Sequence, residues 1–153
     1  MATRAKAEKA DEALSEALAL AEALRPLLHR LLRQLRREST APNVTPPQGM
    51  LLATIVEQPG IGIGELARLE KLRGPTVSEH VKAMTALGLV ERAAPDARDK
   101  RRVGLVATKK GRGVIEAAKR RRTDWLARRL AGLEPDARAA IGRAIGPLGE
   151  IAQ

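Results

Sequence analysis

The most informative stretch of this sequence is Pro75-Thr76-Val77-Ser78-Glu79-His80-Val81-Lys82-Ala83-Met84. Its apolar residues, continued by Leu87, recur at helical spacing and form one core-facing stripe. The pattern therefore predicts a helix over residues 76–87, entered through a turn at Gly74-Pro75. Short polar side chains of the kind that reach base edges fall on or near the other face: Thr76, Ser78, Glu79, His80 and Lys82.

Two short apolar runs rich in β-branched residues follow this helix, at 89–92 and 103–106. Between them lies the charged turn Asp96-Ala97-Arg98-Asp99-Lys100-Arg101-Arg102, which predicts a β-hairpin with a basic tip. A helix followed by a basic hairpin is the outline of a winged helix-turn-helix. The predicted fold is therefore mainly α-helical with a small β-hairpin wing.

Further helices are predicted upstream of this unit. Thr45 is suited to cap a helix that has Pro46 at its first position and Gln48 three residues on, and that helix should stop before Pro59-Gly60. A short helix carrying Leu66 and Ala67 should follow. The glycines of Gly60-x-Gly62-x-Gly64 come after a helix rather than a strand, so they predict a turn and not a phosphate-binding loop.

Long apolar helices flank the winged unit. From Asp11 onward leucine and alanine recur in heptad register, and Pro26 should either kink this helix or divide it into two. Thr108 should cap a second long helix, and Glu134-Pro135 should open the last. We predict a winged DNA-binding domain over 45–108 and a helical dimerisation region over 11–38 and 109–152, because the flanking helices carry more apolar surface than a small domain covers.

Charge and composition point to a polyanionic partner. The 153 residues carry a formal net charge of +10, and each phosphate neutralised by lysine or arginine releases condensed counterions. Trp125 is the single aromatic residue. Because proteins that bind single strands usually stack the bases on aromatic side chains, this composition favours duplex DNA. With no cysteine and only His29 and His80 as strong nitrogen ligands, no metal or cofactor is expected. No membrane-spanning run or signal-peptide pattern is present, so a cytoplasmic protein is expected.

Several motifs, in order and spacing, resemble the MarR family of bacterial transcription regulators. They are Gly64-Glu65-Leu66-Ala67, Pro75-Thr76-Val77-Ser78 with Val81, Gly88-Leu89-Val90-Glu91-Arg92, Asp96-x-Arg98-Asp99-x-Arg101, and Val103, Leu105, Thr108 and Gly111. The wing motif is the most specific of these, and the resemblance covers residues 45–111. It implies a homodimer joined by its terminal helices, with each winged domain on a half-site of pseudo-palindromic DNA. It also implies release of DNA when a small effector, often aromatic or phenolic, binds between the dimerisation helices and the winged domain; Arg33 would suit an anionic effector.

The predicted DNA-binding residues lie on the helix and the wing: Pro75, Thr76, Ser78, Glu79, His80, Lys82, Arg98, Lys100, Arg101 and Arg102. Pro75 should fix the entry angle of the helix. Glu79 either accepts a hydrogen bond from cytosine or pairs with Lys82. Arg98 should enter the minor groove, while Asp99 braces Arg101. The alternative interpretation is a capped, solvated helix followed by a solvated turn.

Other polar residues have two interpretations each. His29, Arg33, Met50 and Trp125 are candidates to line an effector pocket, although Met50 and Trp125 on apolar stripes are more often core residues. Lys109, Lys110 and Arg112 either contact phosphate or form a solvated helix start. The basic run 119–122, with Arg128 and Arg129, is of a type that usually forms a solvated face.

No arrangement of residues typical of catalysis is present, so enzymatic activity is not expected. The first functional hypothesis is a dimeric, sequence-specific transcriptional regulator, acting as a repressor that covers a promoter. The second is an architectural, nucleoid-type protein that binds duplex DNA without sequence preference. A third is a ribosome-associated RNA-binding factor. A regulator should bind its specific DNA ~10³-fold or more tightly than other DNA. An architectural protein should show little such difference in affinity.

Overall fold

The computed structural model describes residues 2–39, 41–93 and 104–152. Its helices are α1 (Ala2–Glu38), α2 (Pro46–Glu57), α3 (Ile63–Leu69), α4 (Gly74–Ala86), α5 (Lys109–Ala131) and α6 (Pro135–Glu150), and its strands are β1 (Val90–Arg92) and β2 (Leu105–Ala107). The strands form an antiparallel hairpin after α4, with Val90 opposite Ala107. The predicted mainly helical fold with a small hairpin wing is confirmed.

The chain divides into two compact units, residues 1–37 and 38–153. The first comprises α1 as far as Arg37, and α1 is one continuous helix in which Pro26 is an interior residue. Of the two alternatives predicted for Pro26, a kink or a division of the helix, the division is therefore wrong. Proline lacks the amide hydrogen that would bond to the carbonyl of Glu22, but the helix continues on both sides of this missing bond. The leucines of α1 are largely exposed: Leu14, Leu18, Leu20, Leu27, Leu28, Leu31 and Leu32.

In the second unit, one hydrophobic core joins α2, α3, α4, the hairpin and the first half of α5. Leu51, Leu52 and Ile55 of α2 are fully buried at its centre, and Val77 and Met84 of α4 pack in the same cluster. Fully burying such side chains contributes roughly 1.5–3 kcal/mol each. The apolar stripe predicted on α4 is therefore the face that anchors this helix, with Leu87 half-buried at its end.

The helix starts follow the predicted capping residues. The Thr45 hydroxyl accepts a hydrogen bond from the Gln48 amide, while the Thr45 amide donates to Gln48 Oε1 at 2.9 Å, so the predicted capping box is present. Thr108 caps α5 by accepting from the Gly111 amide at 3.0 Å. Glu134 precedes α6 as its N-cap residue. The Thr45 and Thr108 side chains satisfy amide groups that a helix start otherwise leaves unpaired, whereas the Glu134 side chain makes no such bond.

The segment between α2 and α3 pairs with strand β2 of the hairpin, a contact that the sequence did not predict. Gly60 donates to the Leu105 carbonyl at 2.8 Å, and Leu105 donates back to the Ile61 carbonyl at 2.9 Å. Gly60 turns the chain with φ of +88°, a conformation that favours glycine. Gly104 faces it at such close range that an added Cβ would overlap the Gly60 backbone. The predicted turn at the Gly60 motif thus also holds the base of the wing.

Candidate nucleic-acid interface

Helices α3 and α4 form a helix-turn-helix through the segment 70–73. Lys71 has φ of +53°, and the Leu72 amide bonds back to the Ala67 carbonyl at 2.9 Å. The Thr54 hydroxyl of α2 donates to the Glu70 carboxylate at the end of α3. The turn is therefore fixed both by its own backbone and by α2, and it sets the direction in which α4 starts.

The start of α4 lies two residues earlier than predicted. Gly74 and Pro75 belong to the first turn of the helix, with Arg73 as N-cap residue, so the predicted turn at Gly74-Pro75 is wrong. Proline is tolerated at this point because the amides of a first helical turn have no intrahelical acceptor. The turn is instead completed by residues 70–73. The first turn of α4 also has no acidic residue and no side-chain cap.

The outward face of α4 brings together four of the predicted contact residues. Pro75, Glu79 and Lys82 lie within about 60° of one another around the helix axis, and Ser78 is adjacent. All four are exposed. This surface has one hydroxyl, one carboxylate, one ammonium group and a proline ring on a helix anchored from behind by Val77 and Val81. No ion pair joins Glu79 to Lys82 among the described residues.

The two remaining α4 candidates lie away from the centre of this face. Thr76 is exposed at its edge, and His80 is half-buried on the far side of Thr76, beside the buried stripe. The helical spacing therefore separates His80 from Lys82, although the two residues are close in sequence. The wing candidates Arg98, Lys100, Arg101 and Arg102 lie outside the described residues, as does Asp99.

Three basic residues next to α4 were missed by the sequence analysis. Arg68, Lys71 and Arg73 are exposed on α3 and in the turn that leads into α4. Arg68 forms an exposed ion pair with Glu65 at 3.9 Å, which contributes little in water. The sequence pattern that could have identified them is a lysine or arginine at every second or third position immediately before α4. Such side chains suit phosphate contacts that position a helix in a groove.

The C-terminal end of α4 is bound to the start of α5. Thr108 Oγ1 donates to the Gly88 carbonyl at 2.7 Å, and Lys110 Nζ donates to the Leu87 carbonyl at 2.7 Å. Arg112 in turn donates to the Ala107 carbonyl. Lys110 and Arg112 therefore contact protein backbone, which neither interpretation of these residues had included.

The four effector candidates lie on three helices. His29 and Arg33 belong to α1, where His29 lies on one open face of the helix with Leu24, Arg25, Leu28 and Leu32. Met50 is 43% exposed on α2, so the alternative that it is a core residue is wrong. Trp125 is half-buried on α5, with the Arg129 guanidinium 5.6 Å from its ring centre.

The basic run on α5 is partly engaged within the protein. Lys119 pairs with Glu116 at 3.1 Å, Arg121 donates to the Glu38 carbonyl, and Arg122 donates to the Ala118 carbonyl at 3.3 Å. Arg121 and Arg122 thus bond to backbone carbonyls, whereas the Lys119 pair is exposed and contributes little in water. None of the described helices is both long and apolar enough to cross a membrane.

Comparison with known proteins identifies relatives of the winged unit. Residues 43–102 match the model of the MarR family. An uncharacterized HTH-type transcriptional regulator of Mycobacterium bovis is 34% identical over 82 residues, which cover 54% of this chain and 57% of that protein. The match thus spans little more than half the length of this curated relative.

Solved structures extend the similarity to nearly the whole fold. A Pseudomonas aeruginosa protein described as a transcriptional regulator is 29% identical, with a TM-score of 0.75 over 90% of this chain and 96% of its own. A MarR family protein from Bacillus stearothermophilus is 27% identical, with a TM-score of 0.69 over 90% and 96% of the two chains.

Proposed function

We propose that the chain is a member of the MarR family of winged helix-turn-helix regulators, whose model matches its residues 43–102, and that it regulates transcription by binding specific sequences in double-stranded DNA. The observation that carries this proposal is the outward face of α4. Ser78, Glu79 and Lys82 are exposed there, whereas Val77 and Val81 fix the helix to the core from behind. A helix held in this way, with short polar groups outward, suits the major groove.

The proposed contacts divide into two kinds. Ser78 and Glu79 contact base edges, whereas Lys82 and the missed residues Lys71 and Arg73 contact phosphates. The wing residues Arg98, Lys100, Arg101 and Arg102 extend the contact to the neighbouring minor groove and backbone. The net charge of +10 supplies the long-range attraction for such a polyanion.

The proposed active form is a homodimer that acts as a repressor by covering a promoter. In the single chain, α6 has no buried residue, and Ile145 and Ile151 are 66% and 74% exposed. The leucines of α1 are exposed in the same way. Exposed apolar surface of this extent is typical of a protein interface. A symmetric dimer holds two α4 helices for successive major grooves, about 34 Å apart.

The proposed regulation is release of the DNA by a small aromatic or anionic effector. His29 and Arg33 offer a polar ring and a guanidinium group for a carboxylate, and Met50 and Trp125 offer apolar contact. Small aromatic acids should therefore weaken DNA binding, and an Arg33→Met variant should lose that response while it still binds DNA. A regulator of this kind acts on the chromosome, in the cytoplasm.

Selection of bound sequences from a pool of random duplex DNA tests the proposed function. We expect recovery of an inverted repeat whose half-sites are spaced by about one helical turn. Recovery of unrelated sequences, together with a steep salt dependence, would instead indicate an architectural protein. Preference for RNA at matched salt would indicate the third hypothesis.

A further inference from the structure

The structure gives Lys110 a position that its sequence context does not suggest. It lies in the first turn of α5, after the wing, where a lysine is expected to contact phosphate or solvent. Its Nζ instead donates to the carbonyl oxygen of Leu87, the C-cap residue of α4, at 2.7 Å. The last carbonyls of a helix have no intrahelical donor and carry the negative end of the helix dipole. A lysine ammonium is therefore a suitable partner for this end of α4.

The same junction contains a second, uncharged attachment. The Thr108 hydroxyl contacts the carbonyls of Gly88 at 2.7 Å and Leu89 at 3.3 Å, and the Thr108 amide donates to Leu89 at 3.0 Å. Gly111 packs against the Leu89 carbonyl. These contacts fix the residues just after α4, whereas Lys110 alone among them reaches back to the C-cap residue of the helix.

From this arrangement we infer that Lys110 is a positioning residue: its ammonium holds the C-terminal end of α4 against the start of α5 and thereby sets the angle at which α4 meets DNA. The inference rests on the proposed function for its effect on DNA, but the attachment itself is a property of the free protein. Loss of the ammonium should loosen the end of α4 without removing a contact to DNA. Sequence discrimination should then fall more than general affinity.

Lys109 provides a matched control. It is the preceding residue, carries the same charge and is exposed, and no hydrogen bond of its side chain is present among the described residues. Lys110→Met and Lys109→Met therefore remove equal charge, and only the former removes the bond to Leu87. Lys110→Arg keeps a cationic donor and should restore what Lys110→Met loses.

The first test uses the 153-residue chain without DNA. Hydrogen exchange followed by mass spectrometry should show faster exchange in the peptide covering 83–91 for Lys110→Met than for Lys109→Met, with thermal unfolding midpoints that differ by only a few degrees. Lys110→Arg should exchange like the parent. Unchanged exchange in Lys110→Met would overturn the inference whether or not the protein binds specific DNA. This separates its failure from failure of the proposed function.

The second test measures binding to the duplex recovered by selection and to a scrambled duplex of the same composition. Lys110→Met should lower the ratio of the two affinities about two- to fivefold, the range expected for a cation at a helix C-terminus, with an unchanged salt slope. Lys110→Arg should retain the ratio. If Lys110→Met reduced the slope of log affinity against log salt by about 0.9 and lowered the affinity for both duplexes equally, Lys110 would be a phosphate contact. That result would contradict the inference.

Discussion

Gly111 in the first turn of α5 lies directly against the carbonyl oxygen of Leu89, so closely that no Cβ atom fits between them. Leu52 Cδ1 is also 3.3 Å from where that Cβ would lie. The absence of a side chain at Gly111 therefore allows α5 to pack on the segment that joins α4 to the wing. The residue is buried, so nothing nearby moves easily to make room.

Gly111→Ala should lower the free energy of unfolding by about 1–3 kcal/mol, because the added methyl group overpacks this contact. Urea denaturation followed by circular dichroism measures the change. Gly113→Ala, in the same helix with open space around its Cα, should instead be neutral or stabilising by up to about 1 kcal/mol. Equal stability of the two variants would show that the close contact does not constrain the fold.

Lys82→Gln should weaken binding to duplex DNA and reduce the slope of log affinity against log salt by about 0.9, because one phosphate contact is lost. The residue is exposed on α4, so unfolding should not change. Fluorescence anisotropy over a salt series measures the slope. Arg138→Gln on α6 removes an equal, exposed charge and should leave the slope as it is. A slope that Lys82→Gln does not alter would remove Lys82 from the interface.

Arg98→Ala should weaken binding to the selected duplex by about 1 kcal/mol or more at fixed salt, because an arginine in a narrow minor groove is lost. The loss should be greatest for half-sites flanked by A·T-rich tracts. Competition binding with flanks of A·T and G·C base pairs measures this difference. Unchanged affinity for both flanks would exclude Arg98 from the contact.

Ile145→Glu should produce monomers at micromolar concentration, because it introduces a charge into the exposed apolar face of α6. Sedimentation velocity distinguishes the two states. Unfolding of the winged domain should be unaffected, since α6 contributes no buried residue in the single chain. Arg143→Ala on the same helix should remain dimeric. A dimeric Ile145→Glu variant would place the interface elsewhere.

Local signals in the sequence predicted the helix starts well. The Thr45 box and the Thr108 cap depend on residues within three positions, so spacing alone identifies them. The α4 core stripe was predictable for the same reason. The start of α4 was predicted wrongly because proline is common both in turns and in the first turn of a helix. The backbone geometry at Lys71, which places the turn before Gly74, distinguishes the two.

Contacts between distant segments were not predictable in this way. The hydrogen bonds of Leu105 with Gly60 and Ile61 join residues more than forty positions apart. Lys110 and Leu87, which are also hydrogen-bonded, are 23 positions apart in the sequence. No periodicity or cap motif encodes such pairings. The candidate site was therefore predictable as a helix face, whereas its attachment to α5 and its basic neighbours Lys71 and Arg73 required the fold.

The ratio of the affinities for the selected duplex and for a scrambled duplex, measured on the 153-residue chain at physiological salt, decides whether DNA binding is sequence-specific. If α4 discriminates base sequence, the selected duplex should bind ~10³-fold or more tightly than the scrambled one. A ratio near one would contradict sequence-specific regulation and leave charge as the sole basis of binding.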